Sequence, residues 1–150
     1  MACPAVTFCP AVGNYSIPSG EQRLFAEAWD GQRWAVEPTP QPKGEFLGSL
    51  DAIACISTAA CMAVGGYSNE TSANQYPIAE RWNGSRWALL SQPAALGQLN
   101  GVACPSAADC LAVGSNVSHV IAAHWDGTRW SAILAPTPTG AQSAQLNAVA

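Results

Sequence analysis

The sequence predicts an all-β protein assembled from repeated units, and three observations predict it. Two phrases recur along the 150 residues, at a near-constant spacing. Thirteen Gly, eleven Pro and six Trp favour turns and short strands over long helices. An Asx-Gly step sits at the same place in every unit, the strongest short-range hairpin signal.

The first phrase is Leu50-Asp-Ala-Ile-Ala-Cys55, which returns as Leu99-Asn-Gly-Val-Ala-Cys104 and begins again at Leu146-Asn-Ala-Val-Ala150. A second cysteine follows at Cys61 and Cys110, then Met-Ala-Val-Gly65 and Leu-Ala-Val-Gly114. Cys3, Cys9 and Pro-Ala-Val-Gly13 open the chain in the same way. The second phrase is Trp29-Asp-Gly-Gln-Arg-Trp34, with counterparts running from Trp82 to Trp87 and from Trp125 to Trp130. Between first cysteines the period is 52 and then 49 residues.

Each unit reads as four short strands. In the third they are Leu99 to Cys104, Cys110 to Val113, His119 to Trp125, and Arg129 through Ile133. Asp30-Gly31, Asn83-Gly84 and Asp126-Gly127 join the last two strands. A two-residue type I′ turn there places Trp29 opposite Gln32 and makes Trp29 and Trp34 diagonal neighbours on one face. Pro-rich connectors, residues 37–42 and 135–138, cannot continue a ladder and end each unit.

Repeated four-stranded antiparallel units of about 50 residues predict a β-propeller with three blades per chain. The whole chain is one repeat domain, 1–150. Blade 1 comprises 2–49 completed by the strand 146–150, blade 2 comprises 50–98, and blade 3 comprises 99–145. Three blades are fewer than the usual four to eight. Two chains exchanging their C-terminal strands give a six-bladed ring, so a homodimer is expected. The competing reading is a piece of a longer repeat array.

Six cysteines allow 15 connectivities, but the repeat favours Cys3–Cys9, Cys55–Cys61 and Cys104–Cys110. Zinc prefers closer Cys spacing with further ligands nearby; His119 and His124, the two histidines, lie in a single unit. No metal site and no cofactor is therefore expected. Paired cysteines imply an oxidising compartment, hence an extracellular or cell-surface location.

Charge excludes several partners. Six Lys/Arg against ten Asp/Glu give a net charge of −4, without the basic cluster that nucleic-acid backbones require. No apolar run approaches the length of a membrane-spanning helix, so no membrane insertion is expected. The acids are scattered and no hydrolase, zincin or P-loop pattern occurs, so an enzyme is not expected. Asp51, Asn100 and Asn147 would form a polar ring if the first strands line a channel. Asn14, Asn69, Asn83 and Asn116 each begin a glycosylation sequon.

The Trp pairs carry two readings. They either pack between neighbouring blades or offer an aromatic platform to a sugar ring. The candidate ligand-binding set is Trp29, Trp34, Trp82, Trp87, Trp125 and Trp130, with Glu27 and Glu80 as acceptors. Ala123 takes the acid's place in the third unit. Loop lengths vary on the rim opposite the cysteines, where Tyr15, Tyr67, Asn69, Tyr76 and Asn116 sit. Variable loops on a rigid scaffold are where binding usually resides.

Through Ala-Cys-Pro-x4-Cys-x-Ala-Val-Gly and Ala-Glu-x-Trp-Asx-Gly-x-x-Trp, the chain resembles Trp-rich, cysteine-paired propeller repeats of secreted bacterial proteins. Over about six residues per repeat, Trp-Asp-Gly-x-x-Trp is similar to a blade signature of fucose-binding propeller lectins. That resemblance implies small subunits assembling into six blades, with sugars held between blades by Trp, Glu and Arg. Glu27 and Glu80 depart from it: they precede the Trp by two residues where the lectin acid precedes it by three, a shift that turns a strand side chain to the other face. The expected function is a non-enzymatic secreted recognition module with carbohydrate as favoured ligand. The alternatives are a structural, self-assembling repeat without a small-molecule ligand and, third, a propeller glycosidase.

Overall fold

A computed structural model describes residues 1–91, 97–117 and 119–150; the end of the second unit (92–96) and Ser118, the third residue of the Asn116 sequon, lie outside the described residues. All regular structure among the described residues is β, in eleven strands without a helix. Three antiparallel groups follow the repeat. The first holds β1 (Cys9–Ser16), β2 (Gln22–Trp29) and β3 (Trp34–Glu37). The second holds β4 (Glu45–Ser57), β5 (Ala60–Asn69), β6 (Ser72–Trp82) and β7 (Trp87–Leu89). The third holds β8 (Gln98–Ser106), β9 (Asp109–Ser115), β10 (Val120–Trp125) and β11 (Trp130–Ile133).

A single parallel pair, Gln22 with Leu47, ties the first group to the second and makes one seven-stranded sheet. The third group is a separate four-stranded sheet, and neither sheet closes on itself. The four strands expected in the third unit are those observed, within two residues at each end.

The core lies between the groups. β5 is buried on both faces because its small and apolar residues alternate between two neighbours. Cys61 and Ala63 pack with Leu24 and Ala26 of β2, together with Leu50, Ile78, Trp82 and Trp87. Met62 and Val64 pack the other way, with Leu99, Val102, Ala112, Ala123, Trp125 and Trp130. The second group is thus sandwiched between the first and third, and two apolar seams hold the chain together.

Inner strands carry matched irregularities. β4 bulges between Leu50 and Ala52, and β8 between Leu99 and Gly101. The extra residue in each case is Asp51 or Asn100, which the bulge turns out of the ladder. Asp51 accepts hydrogen bonds from Ser49 Oγ at 2.7 Å and Gln98 Nε2 at 2.6 Å, a polar link between successive inner strands.

One local expectation is corrected. The Asx-Gly step does not form a two-residue turn, since Trp29 pairs directly with Trp34, Trp82 with Trp87 and Trp125 with Trp130. The loop has four residues because the Asx side chain caps it. Asp126 Oδ1 accepts the N–H groups of Thr128 and Arg129, both at 2.9 Å, and Asp30 and Asn83 do the same for their loops. Gly31, Gly84 and Gly127 have φ between 93° and 99°, which an L side chain resists. Arg33, Arg86 and Arg129 accordingly sit in the loop and not on the strand.

Within the single chain, residues 146–150 lie beside β8 and β9: Leu146 N–H reaches Gly114 O at 3.4 Å, and Asn100 Nδ2 donates to Leu146 O at 2.9 Å. Gly101 permits this approach, because a Cβ there would stand 2.7 Å from Ala148 Cα.

Candidate functional site

Disulfides Cys3–Cys9, Cys55–Cys61 and Cys104–Cys110 all form, each across the hairpin between the first two strands of its unit. No free cysteine is left. All three therefore lie at one end of the strands, beside the capped Asx-Gly loops; Gly84 faces Ala59 and Gly127 faces Ala108 across that rim.

The three Trp pairs share one geometry. Ring centroids lie 5.9, 5.6 and 5.8 Å apart, with planes tilted by 52°, 47° and 51°. Direct cross-strand pairing fixes this, since opposed residues in a ladder point to the same face. In the second and third units the pair faces the preceding unit. Trp82 stacks on Phe8 with centroids 6.1 Å apart and donates from its indole to Thr58 O at 3.1 Å. Trp125 repeats the bond with Ala107 O at 3.3 Å.

Burial then separates the six indoles. Trp82, Trp87, Trp125 and Trp130 lie in the two seams, closed to solvent. Trp29 is half-buried and Trp34 is 45% exposed, with no other unit of the structure packed against them. Val36, beyond Trp34 on the same strand, is also open.

The two acids part in the same way. Glu27 is half-buried on the open face, paired across the ladder with Val36. Glu80 is wholly buried in the first seam, between Ala63 and Leu89, and neither carboxyl oxygen has a hydrogen-bond partner. Desolvation pushes its pKa from 4.5 up to about 8, and the Glu45 charge adds to the rise.

Glu45 is the residue that sequence reasoning misses. It is 7% exposed, both carboxyl oxygens lack partners, and burial raises its pKa to about 7. Arg23 opposes that rise and Glu21 reinforces it; these two residues pair with each other. The available signal is a lone acid opening an otherwise uncharged stretch, straight after a Pro-Lys-Gly connector. Glu45 can lie down only because residue 48 is glycine, since a Cβ there would fall 1.5 Å from Oε1.

Glu45 and Glu80 are thus mainly protonated or half-protonated near neutrality and enclosed by packing. Neither is placed to exchange protons with a solvent-borne substrate. His124 Nε2 lies 2.8 Å from Asp109 on the outer face of the third unit. Among the described residues no group of three or more His, Cys, Asp or Glu could hold a metal ion. Asn69 Oδ1 is buried without a partner, and Tyr67 and Tyr76 pack with centroids 5.3 Å apart on the rim away from the disulfides.

No protein-family model matches the chain, and no curated protein matches it significantly.

Proposed function

We propose that this chain is a non-enzymatic, extracellular recognition scaffold: three blades of a β-propeller, two copies of which close a six-bladed ring. One observation carries the reading. Within the chain a Trp pair twice packs onto the preceding unit, and the first unit's Trp29 and Trp34 present the same pair to solvent. By repeat equivalence, the matching surface in this reading is the outer face of the third unit. Leu111, Val113, Ala122 and Ile133 stand there where Met62, Val64, Ala79 and Leu90 receive Trp125 and Trp130. Such a head-to-tail contact closes into a ring when its rotation permits.

Three disulfides in a chain of this size support an oxidising, extracellular setting. Carbohydrate is the favoured ligand class, on the similarity of the Trp-Asx-Gly-x-x-Trp loop to lectin blades. A second reading, a structural repeat with no small-molecule ligand, is favoured by the burial of four of the six indoles in packing seams.

Light scattering after gel filtration of the non-reduced protein tests the ring. A mass near twice 15.5 kDa supports it, and a monomer removes it. Tryptophan fluorescence titrated with neutral monosaccharides separates the two readings: a saturable change supports recognition, and silence supports the structural repeat.

A further inference from the structure

Away from the disulfides, the end of β5 and the starts of β4, β6 and β8 enclose a cleft of about 220 Å³. Its polar lining comes from Gln22, Ser49, Tyr67, Ser68, Gln75 and Gln98, with backbone from Gly48 and Gly66. Among the described residues that line it, none carries a charged side chain. We propose that this cleft binds a neutral polyhydroxylated ring the size of one monosaccharide, held by the Gln and Ser side chains against Tyr67. The inference rests on the recognition reading above but not on the ring of blades, because every lining residue belongs to one chain.

A related cleft lies at one other junction. Ser115, Asn116 and Gln145 are the counterparts of Gly66, Tyr67 and Gln98, and they line a second cleft of about 470 Å³ at the next junction. At the first junction the counterpart of Gly66 is Asn14, whose side-chain amide lies 3.4 Å from Ser49 Oγ. The amide there occupies the place that glycine leaves open. At residue 66 a Cβ would already meet Gln98 at 3.2–3.3 Å, so a side chain as large as asparagine would crowd Gln98.

The chemistry of the walls selects the ligand. Gln98 Nε2 is committed to Asp51, which fixes the amide and leaves its carbonyl oxygen as an acceptor. The side-chain amides of Gln22 and Gln75 also line the cleft. Each offers two donors and an acceptor, the mixed pattern that a ring of hydroxyls complements. Tyr67, tilted 33° to Tyr76, supplies an aromatic wall for an apolar ring face. The volume is below the roughly 300–1,000 Å³ of drug-sized sites, which restricts the occupant to a single ring. Behind Gly48 the wall is backed by the buried, unpartnered carboxyl of Glu45.

The test is a titration of isotope-labelled protein with fucose, galactose, glucose and mannose, followed by amide chemical shifts. Saturable shifts at Gly66, Tyr67, Ser68 and Gln98 are expected. Affinity should fall at least tenfold in Gln75→Ala and Gln98→Ala, and persist in Trp34→Ala. Gly66→Asn, which copies the first junction, should abolish binding while leaving the near-ultraviolet Trp spectrum intact. Shifts centred on Trp29 and Trp34, lost in Trp34→Ala and kept in Gln75→Ala, would overturn the cleft and retain recognition at the Trp face. Silence with every sugar would overturn both.

Discussion

Trp34 and Trp87 hold the same position in consecutive repeats, yet Trp87 is 5% exposed and Trp34 is 45% exposed. Both pair with a partner Trp across a four-residue loop at nearly the same ring distance. What differs is the neighbour: Trp87 has the first unit against it, and Trp34 has solvent. Truncating them should therefore have opposite consequences. Trp87→Ala opens a cavity in the first seam and should cost about 3–5 kcal/mol in urea unfolding. Trp34→Ala should leave the unfolding of the isolated chain nearly unchanged and halve the mass seen by light scattering.

Burial of Glu45 and Glu80 makes stability depend on pH in an unusual direction. Unfolded, each carboxyl titrates near 4.5; folded, they titrate near 7 and 8. Between those limits the folded chain retains protons that the unfolded chain has released. Stability is thus fully present below about pH 4.5 and is lost as pH rises through 7 to 8. The urea midpoint should fall between about pH 5 and pH 8. Glu80→Gln keeps the shape and cannot ionise, so its midpoint should fall less, the remaining fall coming from Glu45. A wild-type midpoint that rises with pH would refute the assignment.

Each disulfide closes a small ring inside one hairpin, and loop entropy assigns about 2.4 kcal/mol to a ring of that size. Replacing Cys55 and Cys61 together by Ala should lower unfolding stability by roughly that amount. Non-reducing peptide mapping should recover each pair within a single hairpin peptide, and any pairing between units would contradict the structure.

Gly127 has φ of 93°, and a Cβ added there would stand 2.9 Å from Ala108 Cβ. Gly127→Ala therefore meets both backbone strain and a contact, and should cost about 1–2 kcal/mol. For a chain of this length that corresponds to a melting shift of roughly 2–8 °C. Gly13→Ala, with nothing within 4 Å and no positive φ, is the matched control and should shift little.

The architecture is legible in the sequence because it is written three times. Strand positions, cysteine pairing and the Trp-bearing hairpins all follow from comparing one unit with the next. The turn is not legible in the same way, because the Asx-Gly dipeptide signals a hairpin but not its length. Loop length depends on whether the Asx side chain captures the next amides, as Asp126 does with Thr128 and Arg129. Glu80 stands out for its place before Trp82, but sequence alone cannot tell a solvent-facing acceptor from a carboxyl sealed in a seam. Glu45 is hidden for a different reason: its burial depends on the glycine at 48, and the repeat gives it no counterpart acid. The rim cleft likewise depends on which residue follows Gly65, a detail meaningful only once the strands stand side by side.

No disulfide crosses from one unit to another. Covalent reinforcement therefore stops at the boundary of each repeat, and neighbours are joined by the two Trp-lined seams, a few hydrogen bonds and the chain itself. Stretched from its ends, the protein should yield seam by seam, in steps, with each hairpin remaining locked until its own sulfurs are reduced. The seams are its mechanical fuses.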